Sequence, residues 1–239
     1  MSNKLAPPEL KKVHPLGKSP LVTIAAPSLS EPIVLAESAA ICEYLCDHFA
    51  SHLVPTRWRE GCENKVGGET EQWLRYRFYM HYAEGSLMSL LMIAMFMGSK
   101  YPIPSDDSNR ETHPTAHAIL NHNPDIRDSP VPFFIKPVTR GIADKVDNLY
   151  LNDNFATHFG FLESQLASSP DNGEYLCGAS LTAADILMSF PIIAASEKVD
   201  ANKFPKLKAY AARIQAHEGN VGSIKKIEEL TGMPYEMRP

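Results

Sequence analysis

The sequence has only four cysteines, at positions 42, 46, 62 and 177, and no two of them form a CxxC pair. No cysteine–histidine spacing matches a zinc site, so a structural zinc fold and a dithiol redox motif are both excluded. The plain expectation is reduced thiols, mostly buried. Long basic runs are absent and the net charge is -5, which argues against nucleic acid as a partner. The first twelve residues, MSNKLAPPELKK, lack the apolar stretch of a secretory leader. The longest nearly apolar run, Leu87 to Met97, is too short to span a bilayer and is interrupted by Ser89. These absences predict a soluble, cytoplasmic protein with no membrane partner.

What remains is enough for a packed core: 239 residues, 44% of them hydrophobic. Residues 7–13 can start a short helix, because proline is tolerated in a first turn. A turn-rich loop, His14 to Pro20, follows. Leu21 to Ala25 reads as a strand and Ile33 to Leu35 as its return, joined by Pro27, Ser28 and Ser30, so a hairpin is expected. From Ser38 to Phe49 the apolar positions 41, 42, 45, 46 and 49 fall on one helical stripe. Residues 51–66 read as a linker. A long helix is expected from about Gly68 to Met97, aromatic and charged first and apolar on nearly all sides later. Residues 99–130 hold many Pro, Asp, Asn and Ser without periodicity and are expected to be an irregular insertion, the least ordered part of the chain outside its termini. Helical patterning returns over 131–167, with a break near Asn152-Asp153-Asn154, and again at 182–197, 203–217 and 219–230.

Three local patterns carry chemistry or architecture. HPLGKSPLV, residues 14–22, ends in Ser19-Pro20 just before a strand. Leu35-Ala36-Glu37-Ser38 sits at a strand-to-helix junction, where Glu37 can pair with an amine and Ser38 and the helix N–H groups can take a carboxylate. The plainer reading is that Ser38 simply caps the helix. In GASLTAADI, residues 178–186, Thr182 and Asp185 stand three apart like a capping box, with Leu181 and Ile186 at the staple positions.

In their order and spacing these patterns resemble the cytosolic glutathione S-transferases of the fungal type. HYAEGSLM at 81–88 and PVPFFIKPVTRG at 130–141 resemble the same branch, and the likeness covers residues 4–98 and 130–230. It implies an α+β fold: a truncated thioredoxin-like β-hairpin/helix unit followed by an all-α glutathione-transferase C-terminal domain. The implied boundaries are a partial N-terminal domain at 1–50, a linker at 51–66 and a helical domain at 67–239, with 99–130 inserted. It further implies glutathione as cosubstrate, bound by Ser19, Pro20, Glu37 and Ser38, with Pro20 cis, the Ser19 backbone facing the cysteinyl group, and all four sharing a groove. No metal is implied. A homodimer acting on small apolar electrophiles is.

The family's thiol-activating side chain belongs to a strand-helix-strand unit that precedes the region corresponding to Leu5, so no catalytic residue is named. Tyr76, Tyr79 and Tyr82 read as core or pocket lining. Tyr76, Met80 and Glu84 share a helix face that could border a second-substrate pocket or pack in the core. Gly17-Lys18-Ser19 is not a P-loop, since Lys12 stands where glycine is needed and a strand follows. His113, His117 and His122 lie in the polar insertion without metal-site spacing. Two functional readings stay open: a transferase conjugating glutathione to electrophilic small molecules, with a glutathione peroxidase or reductase as a near variant, or a catalytically impaired binding or regulatory protein of the same fold. A truncated gene product is the third.

Overall fold

The computed structural model describes residues 9–98, 126, 132 and 134–235. The insertion expected at 99–130 therefore lies outside the described residues, Ile126 excepted, as do His113, His117 and His122. A single turn, α1 (Leu10–Val13), leads into the antiparallel pair β1 (Leu21–Ile24) and β2 (Ile33–Ala36), with Leu21 opposite Ala36 and Ile24 opposite Ile33. Helix α2 (Ser38–Phe49) follows at once, with the bounds that its apolar stripe predicts. The linker closes on itself. Arg59 donates its N–H to the Gly68 carbonyl at 2.9 Å, and Thr70 donates to Arg57 at 2.8 Å. Thr70 then caps α3 (Glu71–Tyr82) by accepting from the Trp73 N–H.

The long helix expected from Gly68 to Met97 is present with a difference: a π-turn at Ala83–Met88 separates α3 from α4 (Ser89–Met97). The second break is also a π-turn, Asp147–Leu151, joining α5 (Lys136–Val146) to α6 (Asn152–Ala167). It precedes the Asn152-Asp153-Asn154 triplet, through which the helix runs on without a break in its backbone angles. Three helices complete the chain: α7 (Ala183–Ala195), α8 (Pro205–Ala216) and α9 (Glu218–Thr231). The run Glu71–Met97 is 27 residues long and apolar enough to cross a bilayer by length and composition. Its side chains Tyr76, Tyr79, Met80, Leu87 and Leu90 are nevertheless buried in the protein core.

Helix α7 is the hub of that core. It packs on α2, α3, α4 and α8, and its own Ala184, Met188 and Ile192 are fully or almost fully buried. Its start is set by Asp185, which has no exposed surface. One carboxylate oxygen accepts from the Leu176 N–H at 3.0 Å and the Tyr210 hydroxyl at 2.9 Å. The other accepts from the Thr182 N–H at 2.9 Å and the Thr182 hydroxyl at 2.7 Å. Burial pushes the carboxyl up, against four donors that favour its ionised form. The expected capping box is thus present, and it also ties the loop before α7 to α8 through Tyr210. Of the staple pair, Leu181 packs against the core while Ile186 is largely exposed.

Burial is uneven along the chain. Among the described residues up to Ala50 only Gly17, Ile41 and Cys46 are buried, whereas the helical part holds nearly all of the core. Two consequences can be measured. Asp185→Ala strands at least two buried donors and should lower the unfolding free energy by about 3 kcal/mol or more, as read from urea denaturation; a loss typical of a surface cap alone would contradict the hub role. Amide exchange should also be faster in β1, which has one strand neighbour among the described residues, than in α7. Equal protection would show that burial does not set the local stability here.

Candidate functional site

Because Leu21 pairs with Ala36, the residues just outside the ladder meet at the same end of the hairpin. Ser19 and Pro20 enter β1 there, and Glu37 and Ser38 leave β2 there. The Ser19–Pro20 peptide bond is cis, as expected. Ser19, Pro20 and Glu37 are exposed and Ser38 is half-buried, so all four are open to a ligand.

The N-cap of α2 is Glu37, one residue earlier than the plain reading places it. The cap makes no side-chain hydrogen bond to the helix, although the Glu37 carbonyl accepts from the Ile41 N–H at 3.0 Å. The first-turn N–H groups of a twelve-residue helix therefore face outward beside the Ser38 hydroxyl, an arrangement suited to a carboxylate. Glu37 itself stands at φ 74 and ψ 122, a backbone region that non-glycine residues seldom occupy and that costs of order 1–3 kcal/mol. An exposed acid held in that geometry, next to bare helix donors, offers a cation acceptor and an anion donor side by side. That pairing suits an α-amino acid group.

The face Tyr76, Met80 and Glu84 divides. Tyr76 and Met80 are core residues, and only Glu84 is exposed. Burial pushes the phenols of Tyr76, Tyr79 and Tyr82 up, so all three stay protonated. A cavity of about 280 Å³ lies away from the hairpin, bordered by Leu181, Ile186, Ser189, Ile214, His217 and Asn220. The thiols are free: Cys46 and Cys177 are buried, Cys42 and Cys62 half-buried. Burial raises Cys42 and Cys46 and pushes Cys177 up to about 12, so none of these three is a ready nucleophile. Among the described residues no group of three or more His, Cys, Asp or Glu could hold a metal ion.

The comparisons with known proteins bear on the family and the fold. Residues 124–221 match the family model "Glutathione S-transferase, C-terminal domain". Glutathione S-transferase 1 of Saccharomyces cerevisiae is 30% identical over 232 residues, covering 96% of this chain and 82% of the yeast protein. The chain belongs to the glutathione S-transferase family. Solved structures of low identity share the fold. Ure2p5 from Phanerochaete chrysosporium, cocrystallised with 1-(S-glutathionyl)-2,4-dinitrobenzene, superposes with a TM-score of 0.57 at 15% identity, covering 95% of this chain and 83% of that one. A family member from Pseudomonas fluorescens, with two glutathione bound, gives 0.53 at 18% identity, covering 90% and 74%. The α+β transferase fold, with a thioredoxin-like unit and an all-α part, is therefore the fold of this chain.

Sequence reasoning missed one polar pair in the helical part of this transferase. Tyr82 and His158 Nδ1 lie 2.5 Å apart between α3 and α6, beside Phe78 and Phe161. With Tyr82 protonated, its hydroxyl donates to a neutral His158 ring. Burial holds His158 below its ordinary value of 6.5. The unfolded chain therefore takes up this proton first on acidification. The contribution of the neutral ring is present above about pH 6.5 and is lost as pH falls from there toward the lower folded value. Stability should decline as pH falls below about 6.5, and His158→Gln should flatten that decline. An unchanged slope in the variant would assign the acid sensitivity to other groups.

Proposed function

We propose that this glutathione transferase binds glutathione at the hairpin end and conjugates it to small apolar electrophiles. The observation that supports the reading best is the ladder register, which sets Ser19 and Pro20 opposite Glu37 and Ser38 at the uncapped start of α2. Glutathione carries an amine and a carboxylate on the α-carbon of its γ-glutamyl group. Glu37 takes the amine. The Ser38 hydroxyl and the first N–H groups of α2 take the carboxylate, a charge-assisted pairing. The backbone of Ser19 pairs with the cysteinyl part as a short strand addition. Glutathione is consumed rather than retained, and no metal takes part. The linker 51–66 divides the glutathione-binding unit at 1–50 from the helical domain at 67–239. A cytoplasmic homodimer completes the reading. It is supported by Leu74 and Phe78, which are about half exposed on α3 beside Phe161, apolar surface that a second copy would cover.

A binding or regulatory role is the alternative, and one observation favours it. The tyrosines of α3, Tyr76, Tyr79 and Tyr82, are buried in the core, so no phenol of α3 is exposed to activate a thiol. Titration calorimetry followed by an assay with an activated aryl halide separates the two. Binding with turnover supports the transferase, binding without turnover the alternative, and no binding rejects both. Glu37→Ala removes one partner of a charge-assisted contact, worth about 1.5–3 kcal/mol, so the glutathione Kd should rise on the order of 10- to 100-fold. An unchanged Kd would reduce Glu37 to a helix cap.

A further inference from the structure

Helix α2 presents the candidate glutathione site but has a thin seat on the rest of the protein. Toward the helical core it presents small side chains, Ala39, Cys42 and Cys46, of which only Cys46 is buried; the other buried side chain of α2, Ile41, lies outside that core cluster. The hairpin in turn leans on α2. A seat of this kind leaves the rotation and the axial position of the helix weakly specified by packing, because small side chains interlock little with their neighbours.

One charged contact supplements it. Glu43, on the second turn of α2, forms an ion pair with Arg77 of α3. Arg77, whose side chain is itself partly exposed, has a further aromatic contact. Its guanidinium lies 5.9 Å from the Trp73 ring centre, and the same ring is 4.6 Å from the guanidinium of Arg57. Arg57 also stands 4.3 Å from the Trp58 ring and 3.9 Å from Glu69. The two tryptophans of the chain thus flank Arg57 at the base of the closed linker loop. On the next position but one of α3, Arg75 donates to the Gln165 carbonyl at 2.9 Å and the Ser168 carbonyl at 2.7 Å, tying α3 to the end of α6.

We propose that Arg77 is a positioning residue for glutathione binding: through Glu43 it sets α2 so that Glu37 and Ser38 face the ligand together. The inference rests on the glutathione reading of the hairpin end. Glu43 lies six residues beyond Glu37, about 9 Å along the helix axis. A two-turn span of regular helix acts as a rigid rod over that distance, so a displacement at Glu43 is carried to the first turn. The affinity of a site that must first be assembled is reduced by the fraction of molecules that have it assembled. Arg77 raises that fraction without touching the ligand.

The test uses the full chain, glutathione as the probe, three single variants and one double variant. In Arg77→Met, amide exchange over Ile41–Cys46 should quicken about two- to fivefold, the range of a partly exposed ion pair. The glutathione Kd should rise by a similar factor, while exchange in α7 stays as in the wild type. Arg77→Lys keeps the charge and should restore both quantities. Glu43→Gln should match Arg77→Met, and combining the two should add nothing further. Unchanged α2 exchange in Arg77→Met, or a Kd no better in Arg77→Lys than in Arg77→Met, overturns the proposal. Faster α2 exchange with an unaltered Kd overturns it as well. A wild-type chain that binds no glutathione rejects the reading of the site itself, a result distinct from failure of the Arg77 variants alone.

Discussion

One carboxylate without exposed surface, that of Asp185, decides how the rest of the molecule is arranged. Four donors converge on it from the α7 N-cap, from the loop before it and from α8. Removing an ionised group from water is costly, and only complete hydrogen bonding makes it tolerable. The start of α7 therefore has few alternative placements. Since α7 packs on α2, α3, α4 and α8, the setting of one helix start becomes the setting of the helical core. It also becomes the seat of α2, the helix that carries the candidate site.

The candidate site follows the opposite physical logic. Its residues are exposed, its helix start has no side-chain cap, and Glu37 sits in a costly backbone conformation. A chain selected for stability alone would place glycine or asparagine at such a φ and serine or aspartate at the cap. The local sequence does neither, and the cost is met by packing elsewhere. Local rules broken at one place, with core rules obeyed around it, mark a functional position more strongly than the residue types do.

How much of this was legible from the residues depended on which physical signal each feature leaves. The bounds of α2 were readable because a half-buried helix writes its stripe into the sequence. The meeting of Ser19-Pro20 with Glu37-Ser38 was readable because a short hairpin allows few registers. The two π-turns were not, since one extra residue in a helical turn alters hydrogen bonding without altering composition. The polar triplet at 152–154 looked like a break because Asn and Asp compete with the helix backbone, yet the helix continues through it from the π-turn, and Asn152 and Asn154 reach back along it to Asn148 and Tyr150. Glu37 displaced Ser38 as N-cap because the turn out of β2 closes at Glu37, a matter of backbone angles that residue type does not record. The pairs Arg77–Glu43 and Tyr82–His158 join positions 34 and 76 apart in sequence. No periodicity signals a contact of that range.

The uneven burial has a consequence for how this transferase responds to its ligand. A molecule that binds only the ordered arrangement of Ser19, Pro20, Glu37 and Ser38 stabilises whichever part of the chain must be ordered to form it. Here that part is the hairpin and α2, the region with the fewest buried residues, and not the helical core, whose Asp185 hub is already complete. Ligand stabilisation should therefore be local, concentrated in the unit that has the least stability of its own. The half-exposed Glu43–Arg77 pair, with the packing of α2 on α7, joins that region to the helical part. The division follows from where the apolar side chains lie: nearly all of the buried ones belong to the helical part, and the hairpin and α2 lean on it.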